Sequence, residues 1–428
     1  MTSAPRKFLM LQGPHGPFFG QLGKQLVSLG HEVSRIGFNF GDAWFWPLPN
    51  YTAFTGGLTD WPFFLDDYVQ AQGITDIVLY GDTRYRHEVA VQLAKAKGIT
   101  LHVFEEGYLR PFWVTYERDG ANGYSPLMGI NMDEMRTSVE HLTRNLFEAP
   151  ADWGETRQHV YWGALYHALV LMAPGHYRKF TTHRKRGIKS EFRSHFEHLI
   201  TRPYKATRRR IAERRIKHGS FSYSLVLLQL AHDASIQHHS SFRDMISFIR
   251  MCLQDFAKGA PKHQHLVFKA HPLEDYFQPL YRYTFQRAAQ LGITDRVHFV
   301  EGGRLADLLD TAESAVTVNS TAAQQALWRG LPVKTLGRSV LDKPELISDQ
   351  SLEAFFRAPK YPDMDAYMIY RRFMLETCQV FGGFYSRRGR ANVMRRVIPW
   401  ILQKKSPYMN VLLPGDEEAE RPRLRLVK

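Results

Sequence analysis

The chain has 428 residues, more than one hydrophobic core usually holds, so two domains are expected. Hydrophobic residues make up 44% and charged residues 23%, which excludes a largely disordered chain. Two cysteines, Cys252 and Cys378, exclude a disulfide framework and a cysteine-rich zinc site and fit a reducing compartment. Neither a signal peptide nor a membrane-spanning run is recognised, so a cytoplasmic location is predicted.

The net charge of +14 is concentrated in one segment. Residues 178–217 hold 15 Lys or Arg against 3 Asp or Glu, a local net charge of +12. This pattern predicts a basic patch with an anionic partner, namely nucleic acid, anionic lipid or a polyanionic sugar. A solvated helix surface that only aids solubility is the alternative.

Strands and helices alternate in the first part of the chain. Residues 7–12 are predicted as a buried strand, followed by the glycine- and proline-containing loop 13–20 and a helix that ends at Gly30. Further strands are predicted over 31–37, 76–80 and 100–104, with a helix over 86–97. This succession is typical of the start of a doubly wound α/β domain.

After a region of predicted helices the same alternation returns. Strands are predicted over 225–229, 265–269, 297–300, 314–318 and 332–336, with helices over 242–258, 304–311 and 322–328. The predicted fold is therefore α/β and GT-B-like, with two Rossmann-like domains that face each other across a cleft and extra helices between them. The predicted bounds are 1–150 for the first Rossmann-like domain, 151–220 for a basic helical connection, 221–400 for the second Rossmann-like domain and 401–428 for a tail.

Polar residues follow several predicted strands, where ligands bind in open α/β sheets. Glu105 and Glu106 end a strand before a glycine turn, and a carboxylate there could activate a hydroxyl or stabilise positive charge at a sugar carbon. Asp233 lies beyond another strand end, where a nucleophile or base could stand. For the motif with Glu105 and Glu106, the alternative is a surface turn with ordinary charges.

Two motifs of the second domain could hold a phosphate. Pro272 fixes the backbone after His271, which would direct the imidazole toward a phosphate or leaving oxygen, although a buried structural histidine is the alternative. Asn319, Ser320 and Thr321 lie where a strand leads into a helix, and their hydroxyl and N–H groups suit an anion, although simple N-capping explains them equally well.

Some classes of site receive no support from the sequence. His232, His238 and His239 match no zinc signature, and neither a metal nor another cofactor is expected. Walker-type phosphate loops, GxGxxG motifs and GxSxG elbows are missing from the sequence, which argues against kinase, dehydrogenase and hydrolase functions.

Taken in order, five motifs resemble the capsule polysaccharide Kdo transferases of Gram-negative bacteria, of the KpsS/LipB type. They are FLMLQGPHGPFF, FEEGYLRP, LLQLAHDASIQHHS, KAHP and VNSTA, and the resemblance covers roughly residues 7–340. In such proteins the third motif tends to contain aspartate-serine-glutamine, whereas this chain has Asp233 to Gln237 with two residues added. That difference puts the role of residue 234 in doubt, and not that of Asp233.

The resemblance implies a retaining β-Kdo transferase that uses CMP-Kdo and a phosphatidylglycerol-type lipid and initiates the capsule linker. We expect Asp233 as nucleophile and Glu106 as base, with the reversed assignment left open. The residues expected to bind the CMP-sugar are His271, Pro272, Asn319, Ser320, Thr321 and Gln229, and the further cleft residues are Gly13, His15, Glu105, Arg110 and Lys269.

The lipid acceptor predicts a peripheral protein on the inner membrane, docked through 178–217 and with help from 161–172 and Trp44 to Trp46. Expected partners are CMP-Kdo, the anionic phospholipid acceptor, the inner-membrane surface and other capsule-synthesis proteins. Nucleic acid is not expected, because the basic segment lacks interleaved aromatic residues. Two alternatives stay open, a transferase for another CMP-sugar and a non-catalytic capsule assembly or export factor.

Overall fold

Two β-sheets with helices on their faces organise the protein. The computed structural model describes residues 5–140, 155–172, 175–177, 179–180, 204, 206–230, 236, 239–271 and 279–413. The strands in this part of the chain are β1 (Lys7–Met10), β2 (Glu32–Gly37), β3 (Tyr51–Ala53), β4 (Asp76–Tyr80), β5 (Thr100–Glu106), β6 (Trp113–Arg118), β7 (Tyr223–Leu227), β8 (His265–Ala270), β9 (Val297–Glu301), β10 (Ser314–Thr317), β11 (Val333–Thr335) and β12 (Gln379–Phe381).

The described helices connect these strands and cover the two sheets. They are α1 (Phe18–Ser28), α2 (Phe40–Trp44), α3 (Trp61–Gln72), α4 (Tyr85–Lys97), α5 (Met132–Val139), α6 (Glu155–Met172), α7 (206–218), α8 (Met245–Gly259), α9 (Leu280–Gln290), α10 (Leu305–Leu309), α11 (Gln324–Leu327), α12 (Leu352–Arg357), α13 (Met364–Thr377), α14 (Arg387–Leu402) and α15 (Pro407–Leu412). Short 3-10 turns occur at Leu58–Asp60, Asn122–Tyr124, Pro126–Gly129, Thr294–Arg296 and Thr321–Ala323.

The first sheet has the order β3-β2-β1-β4-β5-β6-β12. Its strands are parallel from β3 to β5, whereas β6 is antiparallel to β5 and β12 is antiparallel to β6. Alternate residues of β1 point to opposite faces, so Phe8 packs with α1 and α14 and Leu9 packs with α3 and α4. Burial of both faces explains why β1 is apolar throughout.

The second sheet has the order β9-β8-β7-β10-β11, and all of its strands are parallel. In both sheets the first strand lies between the second strand and the fourth, so the direction of winding reverses between β1 and β4 and again between β7 and β10. Ligands of open α/β sheets bind at such a reversal, beyond the carboxyl ends of the strands.

One hydrophobic core joins the two halves. Leu109 and Met135 from the first half share a buried cluster with Leu225 and Phe373 from the second half. Helix α5 packs along α13, which extends this contact. The two halves therefore share one buried core.

The structure confirms the predicted fold class, a GT-B-like pair of Rossmann-like α/β sheets. The predicted domain bounds remain predictions, and the structure adds that β12 and α14 return to the first sheet and pack there. Trp46, predicted in a membrane-docking loop, is instead buried in the core beside Arg35, whereas Trp44 is exposed. None of the helices in the described ranges combines the length and apolar character needed to cross a membrane.

Candidate active site

The reversal point of the first sheet carries a polar pair. Gln12 follows β1 and Arg84 follows β4, and an Arg84 Nη1–H donates to Gln12 Oε1 at 3.2 Å. The amide of Gln12 in turn donates to the hydroxyl of Tyr166 in α6 at 2.7 Å. The first strand end is therefore linked both to its neighbour in the sheet and to the helix that covers it.

The reversal point of the second sheet is built in a similar way. Gln229 follows β7 and Asn319 follows β10, and Gln229 Nε2 donates to Asn319 Oδ1 at 3.0 Å. The backbone N–H of Asn319 donates to Gln229 Oε1 at 3.1 Å. Both residues are buried, so these contacts fix two predicted donor-binding residues next to each other.

The two predicted carboxylates lie at the end of β5. Glu106 Oε1 accepts hydrogen bonds from the hydroxyls of Tyr80 at 3.0 Å and Tyr385 at 3.2 Å. Burial raises the pKa of Glu105 to about 7, against the hydrogen bond from the Glu106 N–H, which lowers it. The site thus places one carboxylate held by two hydroxyls beside a carboxyl that can exchange a proton near neutral pH.

A glycine makes room for this carboxyl pair. Gly81 follows β4 with a φ of +69°, and a Cβ built on it would lie 3.1 Å from Glu105 Oε2. A side chain there would press on the Glu105 carboxylate and would also strain the backbone. The turn after β4 therefore depends on glycine for close approach to the acid pair.

Helix α6 covers the loop that follows β1. The ring of His15 stacks on Tyr166 with centroids 4.6 Å apart, and His159 stacks on Tyr385 at 4.2 Å. Gly13 lies against Phe19, where an added Cβ would come within 2.6 Å of the ring. The helix thereby packs against the predicted loop residue His15 and against a tyrosine that binds Glu106.

Charged groups gather at the carboxyl ends of β8 and β9. Lys269 and Glu301 are both buried, and Arg208 of α7 places its Nη2 3.9 Å from Glu301 Oε1. The guanidinium of Arg208 also lies 3.5 Å from the ring centroid of Tyr281. Burial lowers the pKa of Lys269 to about 8, although Glu213 acts in the opposite direction. These groups give the second half a polar, partly desolvated strand edge.

A narrow cleft lies where the two halves meet, and its volume is only about 10 Å³. Its lining comes from both sides of the junction, with Asn122 and Gly123 from the first half and His239, Asn319, Thr321, Arg338, Ser339 and Val340 from the second. The approach is close, because a Cβ on Gly123 would lie 2.5 Å from His239 Nδ1. Two residues predicted to bind the donor, Asn319 and Thr321, therefore face a gap between the halves.

The remaining predicted residues differ in their surroundings. Asp233 and Pro272 lie outside the described residues, as do His232 and His238. His271 directly follows β8 and is partly buried. The hydroxyl of Ser320 accepts from the Ala322 N–H at 3.2 Å, which is an N-capping contact.

Arg110 is exposed, and its Nε–H donates to the carbonyl of Gly107 at 3.2 Å. In the described part of the chain no three His, Cys, Asp or Glu side chains form a group that could hold a metal ion.

Several residues of the site were missed by sequence reasoning. Tyr80 ends a predicted strand and could have been noticed for that reason, and Glu301 and Arg338 follow strands in the same way. Tyr385 carries no such signal, because it reaches Glu106 only through the return of the chain to the first sheet. Arg208 belongs to a basic run whose individual contacts no periodicity reveals.

Comparison with known proteins identifies relatives along most of the chain. The family model described as "Capsule polysaccharide biosynthesis protein" matches residues 75–385. Over 390 residues the chain is 32% identical to the capsule polysaccharide export protein KpsS of Escherichia coli, covering 89% of this chain and 97% of that protein. It is 29% identical over 396 residues to the capsule polysaccharide modification protein LipB of Neisseria meningitidis serogroup B, covering 90% and 93%.

Solved structures that match this chain include two KpsC transferases of Thermosulfurimonas dismutans. The β Kdo 2,7 transferase shares 13% identity and a TM-score of 0.41 over 92% of this chain and 99% of that chain. The β Kdo 2,4 transferase shares 12% identity and a TM-score of 0.42 over 91% and 97%.

Proposed function

Since this chain belongs to the capsule polysaccharide biosynthesis family, we propose that it is a retaining β-Kdo transferase. The enzyme moves Kdo from CMP-Kdo to a phosphatidylglycerol-type lipid and so starts the linker that carries the capsule.

One observation carries the catalytic part of the proposal. Glu106 is held by the hydroxyls of Tyr80 and Tyr385 at the end of β5, beside a Glu105 whose pKa is raised to about 7. A carboxylate with fixed orientation can take the proton of an incoming hydroxyl. We assign Glu106 as the base that activates the lipid hydroxyl.

The donor occupies the second half in this proposal. Gln229 and Asn319 form a fixed amide pair at the reversal point, and Thr321 lines the cleft beside them. His271 stands at the end of the adjacent strand β8. These groups are suited to hydrogen bonding with the CMP portion, with His271, Ser320 and Thr321 on its phosphate.

Retention of configuration calls for a double displacement. We assign Asp233 as the nucleophile, which attacks the anomeric carbon of Kdo while the bond to the CMP phosphate breaks and CMP leaves. The lipid oxygen then attacks the same carbon, Glu106 takes its proton, and the bond to Asp233 breaks. The reversed roles of the two carboxylates are the competing assignment.

A peripheral position on the inner membrane would bring this site to its acceptor. Helix α6 exposes Val160, Tyr161 and Met172, and α2 exposes Trp44. Exposed basic residues of α7 add attraction to an anionic leaflet; they are Arg210, Arg214, Arg215 and Lys217. This arrangement supports docking of a protein whose substrates are one polar nucleotide sugar and one lipid.

A non-catalytic role in capsule export is the second candidate, because the similar protein of Escherichia coli is described as an export protein. An export factor that only binds sugar would keep its function when the carboxylates are replaced. A transferase would not.

The product of the purified protein tests the proposal. Incubation with CMP-Kdo and a short-chain phosphatidylglycerol should release CMP and give a lipid whose mass has increased by one Kdo residue. E106Q and D233N should each lose about 100-fold or more of this rate, whereas E345Q, on the surface, should not. Full activity in both carboxylate variants would instead favour the binding role.

Mass spectrometry of the protein separates the two assignments of the carboxylates. With CMP-Kdo and no acceptor, E106Q should accumulate a Kdo adduct on Asp233, and D233N should form none. An adduct mapped to Glu106, or one that still forms in D233N, would reverse the roles.

A further inference from the structure

An arginine in the cleft between the halves has no role in the proposed chemistry. Among the described residues that line this cleft, Arg338 is the one lysine or arginine, and no aspartate or glutamate accompanies it. Its neighbours there contribute amides and hydroxyls, including Asn122, Asn319 and Thr321. The cleft therefore presents one strong cation among neutral hydrogen-bonding groups.

The backbone around Arg338 is fixed to the second reversal point. The Arg338 N–H donates to the carbonyl of His239 at 2.8 Å, and the Gly337 N–H donates to the carbonyl of Val318 at 2.8 Å. Val318 directly precedes Asn319, so these contacts keep the Cα of Arg338 close to the amide pair. These two hydrogen bonds therefore fix the backbone at Arg338.

The side chain of Arg338 is exposed, and no hydrogen bond or ion pair joins it to any residue within the described ranges. A guanidinium is planar and presents parallel N–H groups that match the two oxygens of a carboxylate or phosphate. On this fixed backbone, the exposed Arg338 can offer that pair of donors to an anion at the mouth of the cleft.

We infer that Arg338 binds an oxyanion of a ligand at the mouth of the cleft between the halves. The identity of that ligand rests on the proposed function, in which CMP-Kdo brings two oxyanions, the phosphate of CMP and the carboxylate of Kdo. Either group can form the paired contact, with the hydroxyl of Thr321 nearby in the lining of the cleft. Arg338 would then favour acidic sugars or nucleotide phosphates over neutral ligands.

Titration calorimetry of R338Q and R338K with cytidine, CMP and free Kdo tests this inference. R282Q is the matched control, because Arg282 is exposed on α9, outside the cleft lining. Loss of a paired contact to a charged group should weaken binding of the relevant anion by about tenfold or more in R338Q. R338K keeps the charge but not the planar pair of N–H donors, so its affinity for the anion should lie between those of R338Q and the wild type.

The probes distinguish the two oxyanions. If the phosphate is the partner, R338Q loses affinity for CMP and keeps its affinity for cytidine. If the carboxylate is the partner, R338Q binds CMP normally and loses affinity for free Kdo. Wild-type affinity of R338Q for both CMP and Kdo would overturn the inference.

Two simple anions, inorganic phosphate and pyruvate, test the role of Arg338 even if the proposed donor is wrong. If the wild type binds neither CMP nor Kdo, the proposed donor is wrong, and inorganic phosphate and pyruvate then decide the role of Arg338. Binding of either anion that is lost in R338Q supports the oxyanion site. Equal binding in R338Q and wild type, or no binding in either, overturns it.

Discussion

Lys343 Nζ donates to the carbonyl of Ile130 at 2.6 Å, and so ties the second half of the molecule to the turn that leaves the first sheet. The same ammonium also donates to the carbonyls of Leu127 at 2.9 Å and Met128 at 3.3 Å. Lys343 is buried, and burial lowers its pKa. A buried ammonium group that donates to three carbonyls is a specific contact between the two halves.

Replacing this lysine should loosen the junction. K343M should lower the free energy of unfolding by roughly 2 kcal/mol or more, because buried carbonyls lose their donor. Urea unfolding measures the change, with K360M as control, since Lys360 is exposed on the surface of the second half. Equal stability of K343M and wild type would mean that these contacts contribute little.

The two tyrosine hydroxyls that donate to Glu106 should affect the rate of Kdo transfer and not the stability of the fold. Y80F and Y385F each remove one hydrogen bond to the same oxygen, and each should lower kcat for Kdo transfer roughly tenfold with unfolding little changed. Because both act on one carboxylate, the double variant should depart from the product of the two effects. Y283F is the control, since the Tyr283 hydroxyl accepts from Arg250 on the surface.

The buried Glu117 should make the stability of the protein depend on pH. It is fully buried, with hydrogen bonds from Tyr108, Ser125 and Tyr408, and burial raises its pKa to about 7 against those bonds, which lower it. Between the unfolded pKa of about 4.3 and pH 7 the folded state binds more protons than the unfolded state, so stability falls as pH rises. The contribution of this group levels off above pH 7.

Comparison of E117Q with the wild type isolates this contribution. The stability of E117Q relative to the wild type should rise from pH 5 to about pH 7 with a slope of at most about 1.4 kcal/mol per pH unit. Urea unfolding at several pH values measures it, with E313Q as an exposed control. A difference that does not vary with pH would contradict the raised pKa.

His271 should contribute to the affinity for the CMP part of the donor. H271A should weaken CMP binding by about 1–3 kcal/mol, the range for losing a hydrogen bond to a charged group. Calorimetry gives the affinity, and H263A, at an exposed position before β8, is the matched control. Unchanged CMP affinity in H271A would remove this residue from the donor site.

The basic face of α7 predicts salt-dependent docking. Each Lys or Arg near an anionic leaflet contributes about 1 kcal/mol, so a variant with Arg210, Arg214 and Arg215 changed to Gln should bind anionic vesicles at least about tenfold more weakly. Wild-type binding should also fall as salt is raised. Equal binding of the wild type to neutral and anionic vesicles would argue against this surface.

Periodicity predicted the parts of the fold whose information is local. Apolar runs and glycine ends placed β1, β4, β5, β8 and β10 close to their observed positions, and Glu106 and Asn319 were identified because they follow such strands. Strand β6 was not predicted, although its residues are buried, because it follows closely on the glycine turn after Glu106. Strand β12 is three residues long, and its place beside β6 comes from tertiary pairing that no local pattern encodes.

The candidate site, like the fold, could be predicted from the sequence only in part. The polar residues at strand ends could be predicted, whereas their partners could not. Tyr385 reaches Glu106, and Lys343 reaches Ile130, only after long stretches of chain have folded in between. The roles of Asp233 and Pro272 remain predictions.

The return of the chain to the first sheet has a consequence for synthesis on the ribosome. Val380 pairs with Val114, so β6 is an open sheet edge until residues near the end of the family match have emerged. The face of the first sheet that α14 covers, with Trp400 and Ile401, is exposed for the same period. A nascent chain stopped before residue 379 thus carries an unpaired edge and a bare apolar face, both of which favour aggregation. Completion of the first domain therefore waits for the second.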